Sequence, residues 1–200
     1  VDGIEFTVSV DVESLVIEEV KAGGKVYTRV SLPGWVDIYK EGLPVLPVEV
    51  AELGAPFGAE VVVEVTPGEA QVVKLSAPVL PGVRKVAEWG LPDEEDSGPV
   101  MPEMVEVYEE DAGVYEGSGV YPGELALVSG DGMLRQQRVV GVSVYPVQYD
   151  VGAQELVVYE SLTVTVRFSG GETLGVQGVA EESAVYEELL SGQLLNYEAA

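Results

Sequence analysis

A two-residue hydrophobic period returns in segment after segment, and nothing else in the sequence constrains the fold as much. In "IEFTVSVDV", Ile4, Phe6, Val8, Val10 and Val12 fall on one face of an extended chain, and Glu5, Thr7, Ser9 and Asp11 on the other. The same alternation runs through "KVYTRVSL", "AEVVVEVTP" and "ELVVYESLTVTVRF". The last places Leu156, Val158, Leu162, Val164, Val166 and Phe168 together, opposite Tyr159, Thr163, Thr165 and Arg167. One packed face and one wet face is the signature of antiparallel sheets. Gly- and Pro-containing turn signals punctuate the runs at 22–25, 32–35, 66–69, 80–82, 129–132 and 150–154. Short strands so separated predict an all-β fold, an antiparallel β-sandwich or jelly roll. With 46% hydrophobic residues, 200 residues suffice for one such domain.

Two stretches depart from the period. Residues 88–119 carry prolines and acidic clusters and are expected to form a loop-rich excursion from the sandwich. Beyond the domain, expected at 1–180, residues 181–200 change register: Tyr186, Leu190 and Leu194 are spaced by four, predicting a short C-terminal amphipathic helix or linker toward whatever follows. In "GLPVLPVEV", prolines 44 and 47 cannot donate to a ladder, so the chain must run along an edge or enter a sheet only after Pro47.

Chemistry is restricted by two absences: the chain has neither Cys nor His. A cysteine nucleophile, a histidine base, a Cys/His zinc site and a disulfide are all excluded. Carboxylate-pair or Schiff-base chemistry is not excluded by composition, but no pair stands out among 35 Asp and Glu. A net charge of −25 opposes binding to nucleic acid and to anionic membranes. No run of about twenty apolar residues is present to span a bilayer. The opening "VDGIEF" suits a processed product. Asp93, Glu95 and Asp96 in "PDEEDSG" could offer hard oxygens to calcium, but without the spacing of a calcium loop a solvated acidic segment is the plainer reading, and no cofactor is required.

Arg135 and Arg138 stand out against this acidity. No Lys or Arg occurs from Val86 to Leu134, an interval holding thirteen Asp and Glu, and the two arginines follow directly. They suit either a cross-strand pairing with acids on their own sheet or a task in a partner's pocket.

The order of several short motifs decides between broader classes. Gly42, Pro44, Leu46 and Pro47 in a G-x-P-x-L-P pattern come first, followed by "SAPVLPG" and Tyr121-Pro122. "LRQQRVVGVSVYPVQYD" and "ELVVYESLTVTVRF" complete the series. Taken in that order, the chain resembles the N-terminal prodomain (propeptide) of gingipain-type, caspase-like cysteine peptidases. The resemblance implies a noncatalytic, zymogen-type module of a secreted or cell-surface precursor. Such a module assists folding of its own peptidase domain and covers the active-site cleft until proteolytic release. In members that cut after basic residues, a prodomain loop places an Arg in the specificity pocket; the matching position is Arg135, with Arg138 the neighbouring candidate. One departure stands: no Lys or Arg follows Arg167. The competing class is a structural or adhesive cell-surface β-sandwich that binds calcium or carbohydrate.

Overall fold

The computed structural model describes residues 4–37, 39–89, 101–134, 137–171, 192 and 194–196. In chain order, alternating segments become β1 (Ile4–Ser9), β2 (Val16–Ala22), β3 (Lys25–Ser31), β4 (Val36–Asp37), β5 (Pro47–Ala55), β6 (Glu60–Pro67) and β7 (Ala70–Lys74). There follow β8 (Arg84–Glu88), β9 (Glu103–Val107), the one-turn helix α1 (Ala112–Tyr115), β10 (Val120–Tyr121) and β11 (Ala126–Leu134). The series ends with β12 (Gln137–Val144), β13 (Val147–Asp150), β14 (Glu155–Tyr159) and β15 (Ser161–Ser169).

All paired strands named here run antiparallel, in sheets ordered β1-β15-β6, β10-β13-β14-β7 and β11-β12-β5-β4, plus the hairpins β2-β3 and β8-β9. Two cores result. In the first, Val8 of β1 and Leu162, Val164, Val166 and Phe168 of β15 face Leu53 and Ala55 of β5 and Val140, Val142 and Val144 of β12. In the second, Tyr149, Leu156 and Val158 meet Val30, Leu46 and Val79. Trp35 packs against both. This is the antiparallel sandwich that the alternation predicts, with each face buried as the two-residue period requires.

One ribbon joins the cores. β6 pairs with β15 with Leu162 opposite Pro67, and β7 pairs with β14 with Tyr159 opposite Ala70, so both halves share one continuous register. The bonds Glu160 N–H to Glu69 O (2.9 Å) and Gly68 N–H to Ser161 O (2.8 Å) carry the ladder across the break. Gly68 leaves room there for Ser161, whose Oγ would lie 2.3 Å from a Cβ and would have to turn away.

Three expectations need correction. The turn signal at 129–132 lies inside β11, where a register shift between Val128 and Gly130 marks a bulge. Small residues there accommodate the bulge rather than reversing the chain, and the reversal comes after Leu134. The acidic excursion at 88–119 is not all loop: Glu103–Val107 pairs with Arg84–Glu88 to form the β8-β9 hairpin. The predicted C-terminal helix is not borne out. Leu194 is buried and bridges Glu52 of β5, Leu195 N–H donates to Glu52 O (3.0 Å), and the Asn196 side chain pairs with Gly54 N–H (2.7 Å) and Gly54 O (2.9 Å). β4 covers only Pro47 and Val48 of β5, which leaves Glu52 and Gly54 free to take these bonds from Leu195 and Asn196.

The family-like motifs meet in space. Pro44 bridges Pro81 and Glu41 bridges Gly82, so G-x-P-x-L-P and "SAPVLPG" lie side by side. A Cβ on Gly82 would fall 2.2 Å from Lys40 O, so this approach admits only glycine. Thr28, itself buried, donates to Ala77 O through Oγ1 (2.8 Å). On the face of β13 opposite Val147 and Tyr149, Gln148 donates to Pro122 O (2.7 Å), joining "YPVQYD" to Tyr121-Pro122.

The segment after β9 is anchored by Tyr27, which is 1% exposed and donates to Glu110 Oε1 (2.9 Å), while Lys25 holds Oε2 (3.1 Å). Tyr115 adds a bond to Val79 O (2.8 Å). Burial, then the Glu110 carboxylate, push the Tyr27 phenol from 10.0 up to about 12. A raised phenol pKa contributes stability that is complete below the unfolded value and disappears as pH rises through the folded one. Denaturant midpoints should therefore fall between pH 10 and about 12, and Tyr27→Phe should flatten that limb; equal slopes in both proteins would refute the assignment. Asn196→Ala should cost about 1–2 kcal/mol in urea unfolding, from two lost hydrogen bonds to Gly54. It should also make the tail the first site of limited proteolysis.

Candidate functional site

The two arginines flank the β11-β12 reversal. Asp131 stands opposite Val140, Met133 opposite Arg138 and Leu134 opposite Gln137. Residues 135 and 136 lie between the two strands and outside the described residues, so the structure gives no side-chain placement for Arg135. On its other edge β12 pairs with β5, with Arg138 opposite Ala55 and Val142 opposite Ala51. β12 is thus a central strand, paired on both sides as far as Arg138.

Arg138 shares the even-numbered face of β12 with Val140, Val142 and Val144, all of them core residues. It therefore closes the end of the first core, and its side chain is only 15% exposed. Its guanidinium forks onto Asp131, Nε to Oδ1 at 2.9 Å and Nη2 to Oδ2 at 2.6 Å. Nη1 donates to two carbonyls, Pro56 O at 2.9 Å and Ala59 O at 2.8 Å. The fork holds the Asp131 carboxyl below the usual carboxylate range.

The carbonyls belong to the turn between β5 and β6, and that turn is itself wedged. Gly58 takes a left-handed φ of 69°. Gly171, with φ 85°, lies so close beneath that a Cβ would come within 2.7 Å of Phe57 O and 2.8 Å of Ala59 N. Arg138 thus ties the hairpin to a turn already locked against the end of β15. Of the two interpretations open to these arginines, Arg138 shows the pairing within its own sheet.

The calcium candidates Asp93, Glu95 and Asp96 also lie outside the described residues. Among the described residues, no group of three or more Asp or Glu is arranged to hold a metal ion, and no helix is long and apolar enough to cross a membrane. Sequence reasoning had no signal for the Arg138 carbonyl contacts: the acceptors are backbone atoms about eighty positions away.

Comparison with known proteins places this architecture. Lys-gingipain of Porphyromonas gingivalis is 27% identical over 197 residues, 96% of this chain and 11% of the relative. Lys-gingipain HG66 of the same organism is 27% identical over 200 residues, with the same shares covered. The chain therefore spans about a tenth of the length of these relatives. Among solved structures, a complex of the P. gingivalis RgpB pro- and mature domains gives a TM-score of 0.69 at 21% identity, covering 98% of this chain and 92% of the other. A structure of gingipain K described in terms of its zymogenic latency gives 0.60 at 26% identity, covering 82% and 86%. The family model Propeptide_C25 matches residues 4–200, and the chain belongs to this propeptide family.

Proposed function

We propose that this chain is the inhibitory and folding-assisting prodomain of a secreted or cell-surface gingipain-like cysteine peptidase. It covers the active-site cleft of its own caspase-like domain until proteolysis releases it. The observation that carries this reading is the family match across residues 4–200, a propeptide family whose fold recurs in solved gingipain pro-domains. A chain without Cys or His suits the role, since the Cys–His pair of such a peptidase belongs to its catalytic domain.

Within that reading Arg135 is the residue that enters the peptidase's specificity pocket, and Arg138 supports it from the sheet. The four hydrogen bonds that Arg138 makes to its own chain favour this division. A guanidinium meets a pocket carboxylate through two parallel bonds, which gives both strength and direction. Release requires a cut. With no basic residue after Arg167, a peptidase specific for Lys or Arg would have to cut before Ser169 or beyond Ala200.

Titrating the mature peptidase domain of the same precursor with this 200-residue chain should give tight inhibition. Arg135→Ala should raise the inhibition constant by about 100-fold, the scale of a lost hot-spot side chain. Arg29→Ala, on the exposed face of β3, should leave it within about twofold. Absence of inhibition by the wild-type chain would overturn the reading, and equal effects of the two substitutions would remove Arg135 from its pocket.

A further inference from the structure

We infer that Arg138 and Asp131 form a positioning clamp that holds the paired ends of β11 and β12 in register before the peptidase is met. The inference rests on the inhibitory reading above and specifies how that reading would be built into the fold.

A salt bridge on an exposed sheet face contributes little and constrains little. This one differs in three respects. The arginine is mostly buried, whereas Asp131 is about half exposed, so the fork reaches from the core end outward to the edge strand. The guanidinium also bonds a second element, the turn at 56–59, through both carbonyls. That turn is held in turn by the close approach of Gly171 at the end of β15. Edge strand, central strand and the turn before β6 are thereby joined through one planar group three positions from Arg135 in the sequence.

β11 needs such a hold. It is an edge strand with a bulge after Val128, and glycines at 130 and 132 give it little side-chain packing; residues 129–133 are exposed. An edge of this kind, left to itself, frays over many geometries. A partner that binds one geometry sees its affinity reduced by the fraction of time that geometry is absent. Asp131 lies one bulge from the strand's paired base and three residues from its end, and the fork fixes it against β12. Lysine at 138 would keep the charge but lose the planar fork that reaches Asp131 and the two carbonyls together.

The test uses the intact 200-residue chain carrying Arg138→Lys, Asp131→Asn or, as a control, Val142→Ala, which lowers stability from the same strand without touching the clamp. Each is assayed for inhibition of the mature peptidase domain at a temperature where it is fully folded, and for amide hydrogen exchange across 131–138. At full folding a merely structural residue cannot alter the inhibition constant, so Val142→Ala should leave it unchanged. Arg138→Lys and Asp131→Asn should raise it about tenfold, as expected if the ordered geometry falls to one part in ten, and should speed exchange in that segment. Unchanged inhibition by both clamp variants would overturn the inference, while loss of inhibition in Arg135→Ala alone would leave the pocket reading standing. If Arg138→Lys fails to fold, Asp131→Asn decides the matter, since it removes an exposed partner and leaves the carbonyl contacts in place.

Discussion

The bent antiparallel ribbon of residues 60–74 against 155–169 is the constraint from which the rest of the architecture follows. Its register continues unbroken from β6-β15 into β7-β14, so every even-numbered apolar side chain from Leu156 to Phe168 stays on the inner side while the chain passes from one core to the other. Shifting one partner by a single residue would turn five valines and leucines toward water at about 2 kcal/mol each. The bend at Glu160 and Gly68 is stitched on two flanks, since Val10 N–H also donates to Glu160 O (2.9 Å) and thereby carries the β1 ladder to the same point. With the ribbon fixed, the sheet containing β12 has only one face to cover, and the position of the β11-β12 reversal at its end is determined.

The cations are distributed in a way that fits this layout. Among the described residues, five ion pairs involve Lys25, Lys74, Arg84, Arg138 and Arg167. Four of these side chains are between 44% and 80% exposed and act as surface partners for an acidic exterior. Arg138, at 15%, is the exception: it donates to a carboxylate and to two main-chain carbonyls, which is how a buried guanidinium avoids leaving donors unsatisfied. The same contacts that satisfy the guanidinium at the core end favour, on the proposed reading, a supporting role for Arg138.

The fold was legible in the sequence wherever one face of a strand is buried, because the period of two is a direct imprint of that burial. "IEFTVSV" and "LTVTVRF" fall on the predicted faces. What the period cannot show is which strands share a sheet, and "ELVVYESLTVTVRF" reads as one run although it belongs to two. Composition misled at 129–132, where Gly and Asp serve a bulge. It misled again in the tail: the spacing of Leu190 and Leu194 suggests a helix, yet Leu194 forms a bridge to Glu52 of β5 and Leu195 and Asn196 turn against the same strand. The motif order was informative for a physical reason. Pro44 with Pro81 and Glu41 with Gly82 are backbone bridges, and Gln148 ties its side-chain amide to Pro122 O, so their pattern reports the fold rather than any chemistry. The Arg138 contacts were invisible because backbone acceptors leave no trace in composition.

Net charge sharpens what the hairpin has to do. A pocket that accepts a basic side chain is itself acidic, and a chain at −25 is repelled by acidic surroundings at long range. At physiological salt that repulsion fades beyond about 8 Å, so steering contributes nothing favourable and the affinity must come from contacts made at close range. The contribution left to a prodomain of this composition is a reduction in what is lost on docking, and ordering the contact segment in advance achieves that without adding positive charge. On the proposed reading, Arg138 supplies that order at the paired ends of β11 and β12, where its own fold holds it, and leaves Arg135 as the arginine offered to the partner.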